Sequence, residues 1–546
     1  MTKSRFFRTA ACITCVLLGQ AISVKAQFAG GDGSSEDPYQ IATAAQLAQL
    51  ATFVNAGDIN YNDKQYILIE NIDLSVYDSN NITFNNGKGW IPIGDYSNFL
   101  GVFDGNSKKI TGLYINNTLL GYGVGLFGTI ENSTVKNLGV ENVDITYSPF
   151  WTSSHVGGIV GYIYYGGNVS HCYSTGVITS STGNSSYAGG IAGHNFGTVS
   201  NCYSTATVNS SSSHYDCYAG GVVAINYFFT ANVLNCYSIG AVNSYISLGY
   251  SYAGGVVGNN RGYNGANVSN CAALNTSIFC SGYITGYGRV VGRNGESTNN
   301  IAFDNMLNPS GTTTWSNIGL DQIDGEDISA TDIYMDSTLG NRFTSANGWT
   351  TKKGKLPGLF GEVVDMPPHL LPPTITTAVL PNTTIGTAYN KTVTANGASP
   401  ITWSLYSGNL PDGLNLTTNG TISGTPTTEG MFTFTVMATN YVGNDTAEFS
   451  ITVVDKTVEI IEMRHATPNI NVYPNPTTGQ IRIANYELKV ETINIIDVLG
   501  RTVLTKHALP TNDIIEIDVS HLPMGMYYLR ITGEKNTTVK FVKSNE

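Results

Sequence analysis

A glycine-marked repeat between residues 121 and 292 constrains the fold of this chain more than any other feature of the sequence. Its clear copies are marked by Gly125, Gly157, Gly189, Gly220 and Gly254, at steps of 32, 32, 31 and 34 residues. Each copy holds short apolar segments separated by Gly, Asn and Ser, without a helical period. One copy cannot bury an apolar face alone, whereas stacked copies bury a continuous core. A degenerate copy, which keeps only part of the signature, follows at Gly288–Gly292. The paired signature glycines are Gly157, Gly158, Gly189, Gly190, Gly220, Gly221, Gly254 and Gly255.

A second element recurs in phase with the glycines and contains a cysteine. It reads Val-Ser-Asn-Cys-Tyr-Ser with small variations, and its cysteines are Cys172, Cys202, Cys236 and Cys271. A period of 31–34 residues is shorter than the ~40–45 residues of a propeller blade. The sequence therefore predicts an all-β chain whose main domain, residues 27–365, is a right-handed parallel β-helix.

One convincing helix precedes the repeats. Leu47, Leu50, Ala51 and Val54 recur at helical spacing and give a single apolar face. The helix has a capping-box start at Thr43 and Gln46, and a glycine at 57 that suits its end. We expect it to cap the N-terminal end of the stack, where an uncovered coil would expose its core and its strand edges.

The N-terminus has the pattern of a signal peptide over residues 1–26. A basic start precedes an apolar run, and a small-residue site predicts cleavage between Ala26 and Gln27. No later stretch approaches 18 apolar residues, so the sequence predicts export without a membrane span.

Two further domains follow the repeats. A Pro-rich linker is predicted at 366–372. Residues 373–455 and 466–546 both alternate apolar and polar residues between turn signals, so each predicts a small β-sandwich.

The repeats resemble the GLUG family, through segments such as Tyr187–Gly193 and Tyr252–Gly258. The resemblance covers roughly residues 28–300, and it implies exposure and binding at a bacterial surface without a catalytic residue. Residues 373–455 resemble the Ig-like (cadherin-like) module of bacterial surface proteins, through Leu410–Leu414 and Gly420–Pro426. Such modules are usually spacers.

Residues 466–546 resemble the type A sorting domain of the type IX secretion system of Bacteroidetes. The resemblance rests on blocks present in order, with motif residues Tyr473, Pro474, Asn475, Pro476, Gly479, Gly500, Gly525 and Tyr527. It implies interaction with the type IX secretion machinery, passage through the periplasm and the outer membrane, and cleavage near residue 465. The mature protein would then be attached to surface lipopolysaccharide or released.

Composition argues against several classes of function. The formal charge is −12, and it becomes −16 once the basic residues of the signal peptide are removed. Without basic patches, an acidic chain is a poor ligand for nucleic acid or anionic lipid. Between residues 151 and 300, the only carboxylates are Asp216 and Glu296, and lysine is absent. Polysaccharide lyases and glycosidases need clustered acids, a metal or a basic residue, so we expect no catalysis on the repeats.

Other candidate sites also favour structural roles. The histidines at 155, 171, 194 and 214 occupy different repeat phases and lack metal-ligand spacing. Two acidic clusters weakly suggest calcium, but turn-forming acids explain them better, so we expect no cofactor. The clusters comprise Asp58, Asp63, Asp73 and Asp78, and Asp321, Asp324, Glu326 and Asp327.

The in-phase cysteines predict a column one coil apart, ~4.8 Å. Parallel side chains aim the sulfurs poorly for disulfides, which favours a buried thiol ladder. Cys217 and Cys280 lie outside that register, and they could pair with each other or with a ladder member.

Tyrosines give the chain a potential ligand surface, because an aromatic wall stacks on sugar rings without needing charge. We therefore expect a non-enzymatic adhesin or glycan- or matrix-binding protein at the cell surface or outside the cell. A polysaccharide-active enzyme and a structural surface-layer component remain the alternatives. The tyrosines are Tyr162, Tyr164, Tyr165, Tyr215, Tyr227, Tyr245, Tyr250 and Tyr263.

Overall fold

The computed structural model describes residues 27–119, 121–261, 265–293, 295–455, 471–484, 490–507, 514–533 and 536–545. The predicted signal peptide, including Ala26, and the predicted cleavage near residue 465 lie outside the described residues. No helix in these ranges is both long and apolar enough to cross a membrane.

The repeats form a parallel β-helix, as predicted, in which each coil visits three sheets. Sheet 1 contains the strands Tyr39–Ile41, Gln65–Leu68, Ile72–Asp73, Val102–Thr111, Tyr114–Asn117, Thr134–Tyr147, Asn168–Thr182, Thr198–Ser200, Tyr203–Ser204, Thr207–Ser212, Asn232–Leu234, Tyr237–Ser238, Val242–Ile246, Asn267–Ser269, Ala272–Ala273, Ile278–Ser281, Glu296–Thr298, Ile301–Phe303 and Glu326–Ile328. Sheet 2 contains Gly123–Val124, Ser154–Gly157, Ser186–Gly189, Cys217–Gly220, Tyr250–Gly254 and Ile284–Gly288. Sheet 3 contains Phe127–Ile130, Val160–Ile163, Ala192–Asn195, Val223–Tyr227 and Val257–Arg261.

The two repeat elements contact each other inside the coil. The second glycine of the signature lies at the corner between sheets 2 and 3, and at Gly158, Gly190 and Gly221 it lies against a serine of the Cys-Tyr-Ser element. Ser174 donates a hydrogen bond to the Gly190 carbonyl at 2.6 Å, and a Cβ on Gly190 would lie 2.3 Å from the Ser204 hydroxyl. This contact gives a physical reason why the two elements recur in phase.

The residue before each ladder cysteine makes a bend in sheet 1. Asn201, Asn235 and Asn270 have φ of 52°, 50° and 54°, in the left-handed region that asparagine tolerates. His171 occupies the same position with φ of 52°. The bend explains both the repeated asparagine and the place of this histidine in the pattern.

The predicted cap helix is present as Ala44–Asn55. The Thr43 side chain accepts a hydrogen bond from the Gln46 amide, and the Gln46 side chain accepts one from the Ala42 amide at 2.8 Å. The four apolar residues that predicted the helix are buried in the common core. The helix directly follows Tyr39–Ile41, the strand at the N-terminal end of the stack.

Residues 339–371 fold back along the outside of sheet 1. They cover a tyrosine column in which Tyr203 stacks on Tyr173 at 4.8 Å and on Tyr237 at 5.1 Å between ring centroids. Trp349 packs on Tyr203 and Tyr237. The tyrosines of the Cys-Tyr-Ser element therefore serve packing. This segment and its approach contain the helices Ala330–Met335, Ser345–Asn347 and Pro368–Leu370, and the strands Trp349–Thr350, Lys355–Leu356, Gly358–Leu359 and Val364–Asp365. The other short helices are Ser75–Tyr77 and Asn85–Gly87.

The Ig-like domain contacts the β-helix at the predicted linker. Leu370 is fully buried in the β-helix core, and Tyr441 donates a hydrogen bond to the His369 carbonyl at 2.6 Å. Thr331 donates another to the Val442 carbonyl at 3.0 Å. The linker is therefore packed against the β-helix. The Ig-like strands are Thr374–Ile375 with Ala395–Asn396; Thr383–Thr384, Thr402–Gly408, Gly430–Thr439 and Asn444–Val454; and Tyr389–Thr392, Leu414–Leu416 and Thr421–Gly424.

The C-terminal domain packs two sheets around its own core. The Asn475 side chain accepts a hydrogen bond from the Val542 amide at 2.9 Å and ties the motif segment to the last strand. Tyr527 donates to the Pro523 carbonyl at 2.8 Å, so its ring and its hydroxyl both have structural roles. One sheet contains Asn471–Tyr473, Gln480–Ala484 and Ile515–Asp518, and the other contains Val490–Asp497, Thr502–His507, Gly525–Gly533 and Thr537–Lys543.

Candidate functional site

A concave crease runs along the outside of the β-helix where sheets 2 and 3 meet. Residues on either side of the glycine corner face each other across it, as Tyr187 and His194 do with ring centroids 6.2 Å apart. A Cβ on Gly193 would lie only 2.4 Å from the Val156 backbone nitrogen. Glycine is therefore needed for the two sheets to approach this closely.

Two registered columns of side chains fill the crease. The sheet 2 column is aromatic through its middle coils, where the Tyr218 ring packs at a tilt on Tyr187 at 4.9 Å and stacks on Tyr252 at 5.1 Å. Tyr218 and Tyr252 are buried although they lie outside the coil. The sheet 2 column is Gly123, His155, Tyr187, Tyr218, Tyr252 and Gly286, and the sheet 3 column is Thr129, Tyr162, His194, Ile225 and Asn259.

Two of the four histidines, His155 and His194, lie in contact within the crease, although they occupy different repeat phases. The Nδ1 atoms of His155 and His194 lie 3.3 Å apart, so one ring donates a hydrogen bond to the other. Burial lowers the pKa of His155 to about 3, and burial together with His155 lowers the pKa of His194 well below its usual value. Both imidazoles are therefore neutral at physiological pH. Positions on opposite sides of the corner differ in repeat phase yet meet in space.

The crease opens into a groove where its aromatic filling ends. Gly123 and Thr129 occupy the column positions next to His155 and Tyr162, and these small residues leave space. The groove comprises a cavity of about 600 Å³ and a cavity of about 410 Å³, and the two adjoin because they share four lining residues. The described lining residues are Asp95, Tyr96, Asn98, Gly121, Tyr122, Thr129, Thr152, Ser153, His155, Tyr162 and Tyr164.

Asp95 is the one carboxyl residue among these lining residues. The bridge between Ile93 and Phe127 places Asp95 beside Thr129, so it extends the sheet 3 column by one coil. Sequence analysis missed it because it precedes the repeats and belongs to no motif. The Ile93 pairing that brings it into the column has no signature in the sequence.

The predicted tyrosine surface is divided among several places. Tyr162 and Tyr164 line the groove, whereas Tyr165 packs against Phe196 and Phe228. Tyr263 lies outside the described residues. The remaining predicted tyrosines, Tyr215, Tyr227, Tyr245 and Tyr250, are exposed or half-buried elsewhere on the β-helix.

The repeat cysteines form a buried column of thiols. The Cys172 backbone amide donates to the Cys202 sulfur at 3.4 Å, and all six cysteines of the described chain are free and buried. Cys217 and Cys280 do not pair. Each instead bonds to a serine hydroxyl, Cys217 to Ser210 at 3.2 Å and Cys280 to Ser251 at 3.3 Å.

Burial predicts that these thiols are unreactive. It raises the pKa of Cys202, Cys236 and Cys271 well above the usual range, which suppresses the nucleophilic thiolate. We expect the native β-helix to resist a thiol reagent such as DTNB and to react with it after denaturation. The exposed variant Ser247→Cys supplies a control that reacts at once. Rapid native labelling of the ladder would show that its coils open readily.

The acidic clusters make turn and capping contacts. Asp58, Asp73 and Asp78 each accept a hydrogen bond from the backbone amide two residues ahead. Asp324 and Asp327 bond to Arg289. Across the residues that the structure describes, no group of three or more His, Cys, Asp or Glu side chains is placed to hold a metal ion.

Three family models match separate parts of the chain and confirm the resemblances drawn from the sequence. "The GLUG motif" matches residues 152–179 and 184–209, and "Putative Ig domain" matches 372–454. "Secretion system C-terminal sorting domain" matches 471–544. The sorting-domain match indicates export to the cell surface or the extracellular space.

Similar proteins share only segments of this chain. A "Putative Gly-rich membrane protein" of Evansella cellulosilytica is 41% identical over 131 residues, which cover 24% of this chain and 14% of that protein. "Halomucin" of Haloquadratum walsbyi is 32% identical over 120 residues, which cover 21% of this chain and 1% of that protein. The crystal structure of a putative immunoglobulin A1 protease from Bacteroides ovatus is 22% identical with a TM-score of 0.46, covering 62% of this chain and 96% of that chain.

Proposed function

We propose that this exported protein binds neutral glycans of a surface or matrix through the groove at the end of the crease, and that it catalyses no reaction there. The observation that carries the proposal is the lining of that groove. Its walls combine the tyrosines Tyr122, Tyr162 and Tyr164 with the small polar residues Thr152 and Ser153. Aromatic faces stack on sugar rings, and hydroxyls and amides bond to sugar hydroxyls without requiring charge.

The Ig-like domain and the sorting domain support a role in presenting the β-helix outside the cell. The Ig-like domain packs against the β-helix through the Tyr441 and Val442 contacts and would hold it at a fixed orientation. The sorting domain would carry the chain through the periplasm. Cleavage near residue 465 would then leave the protein attached to surface lipopolysaccharide or release it. An adhesin needs a rigid binding face held away from the membrane, and this order of domains supplies one.

An enzyme is the rival function, and one observation favours it. Burial raises the pKa of Asp95 in the groove to about 6, which suits a general acid. Glycoside hydrolysis normally needs a second carboxyl group across the bond. Glu131 is the nearby candidate, but it accepts a hydrogen bond from Asn98 at 2.7 Å and is absent from the described lining. We therefore expect no reducing-sugar release from polysaccharides incubated with the protein.

Glycan-array binding by the full chain tests the proposal. We expect binding to neutral glycans, and about tenfold weaker binding after Tyr122→Ala or Tyr164→Ala, since one aromatic stacking contact is worth up to about 1.5 kcal/mol. Tyr122 is 76% exposed, so its loss should leave the fold intact. Tyr245→Ala, on sheet 1 and 51% exposed, is the matched control. An array without neutral-glycan binding would contradict the proposal, and product release would favour the enzyme.

A further inference from the structure

Asp95 is a buried carboxyl group with one unused oxygen. Its residue is 5% exposed, and its Oδ1 accepts a hydrogen bond from the Gly121 amide at 2.6 Å. Its Oδ2 is buried and has no hydrogen-bond partner among the described residues. Buried acceptors are normally satisfied, so an orphan oxygen of a charged group indicates a partner from outside the chain.

The fold holds this carboxyl group in place. The Asn55 side chain, at the end of the cap helix, accepts hydrogen bonds from the Gly94 and Asp95 amides at 2.8 and 2.9 Å. The same side chain donates to the Pro92 carbonyl at 2.9 Å. The backbone from Pro92 to Asp95 is therefore tied to the helix and preorganised.

Packing does not require an acid at this position. The described ion pairs do not include Asp95, and burial without a cation raises its pKa. In the coils further along the crease, the corresponding positions carry Tyr162 and His194, which fill the space with rings. An aspartate in the sheet 3 column lowers the stability of the fold, as residues retained for binding commonly do.

We propose that Asp95 is the hydroxyl acceptor of a subsite for one neutral pyranose ring, which stacks on Tyr122 at the mouth of the groove. This inference rests on the proposed glycan binding and names the residue that selects the sugar. Vicinal sugar hydroxyls supply the donors that Oδ2 lacks. The described lining contains no Lys or Arg, so an acidic sugar such as a uronate would meet an uncompensated negative charge.

The test is calorimetric titration of the full chain with cello-, laminari- and mannohexaose, and with oligogalacturonate as the acidic counterpart. Asp95→Asn preserves the shape and the Oδ1 acceptor but replaces Oδ2 with a donor. We expect it to weaken neutral-sugar binding roughly ten- to a hundredfold, the range of a hydrogen bond to a charged group. Its melting temperature should rise, because the buried charge is gone. Asp144→Asn, at an exposed position on sheet 1, should change neither quantity.

A second variant tests the site by filling it. Thr129→Tyr extends the aromatic column of Tyr162 and His194 into the groove, so it should abolish binding without unfolding the chain. Neutral-sugar binding that is unchanged in both variants would overturn the subsite while leaving glycan binding at another surface. Absence of binding to every hexasaccharide and to the array would refute the proposed function itself. Tighter binding of oligogalacturonate would overturn the neutral-sugar assignment.

Discussion

Replacing Gly220 by alanine should lower the free energy of unfolding of the β-helix by about 3–5 kcal/mol. A Cβ at this position would lie 1.8 Å from the Val223 carbonyl oxygen and 2.8 Å from the Gly258 nitrogen. Both are backbone atoms of the corner and of the next coil, so a rotamer change cannot relieve the clash. The strands on both sides of the crease would have to separate.

Thermal unfolding and hydrogen exchange of the Gly220→Ala variant measure this effect. A solenoid is stabilised by its nearest neighbours, so protection should be lost first in Cys217–Gly220 and Val257–Arg261. Gly311→Ala is the control, since its Cβ would meet nothing within 4 Å and its φ of 73° costs only about 1 kcal/mol. Equal losses in the two variants would show that the coil relaxes around the added methyl group, and that the clash does not require glycine at this position.

The β-helix was predictable because the spacing of the signature glycines equals the length of one coil. The Gly189-to-Gly220 step equals one coil, and the structure pairs these two residues directly in sheet 2. The cap helix was predictable for the same kind of reason, since its apolar spacing and its Thr43 cap are local signals. Features encoded within one element or one repeat therefore follow from the sequence.

The crease was not predictable, because no local pattern records which way a corner bends. Tyr218 occupies an outward position, and outward positions on a coil are normally exposed; it is 1% exposed because the corner is concave. The same geometry joins His155 to His194 across 39 residues. Asp95 depends on a contact to Asn55, 40 residues earlier and outside the repeats. Burial at a concave corner is a property of the assembled stack.

Arg289 gives the other large expected effect, and here the repeat pattern and the structure predict opposite results. It stands where the preceding coil has Gly255, within the degenerate last copy. Restoring the consensus with Arg289→Gly would ordinarily be expected to stabilise a repeat protein. The structure predicts instead a loss of about 3–5 kcal/mol, because removing this buried side chain leaves a cavity and several backbone carbonyls without their donors.

The reason lies in the contacts of the guanidinium group. Arg289 is 0% exposed, and its Nη1 lies 2.6 Å from an Asp327 carboxylate oxygen. Its Nε donates to the Asp324 carbonyl at 2.9 Å, and its Nη2 donates to the Gly325 carbonyl at 3.0 Å. Glycine would leave these carbonyls without partners beneath the final strand. In an interior repeat, the next coil of the β-helix covers this position. In the last repeat, the Arg289 side chain covers it instead.

Unfolding measurements on Arg289→Gly and Arg289→Met decide between these two expectations. The variant of the exposed Arg261, Arg261→Met, is the control. We expect both position-289 variants to lose stability and protection around Glu326–Ile328, with little change in the control. A loosened last coil also exposes a strand edge, so these variants should aggregate on heating more readily than the parent chain. Stabilisation by Arg289→Gly would mean that the last copy behaves as an interior repeat, and that the strand Glu326–Ile328 closes the stack without help from the arginine.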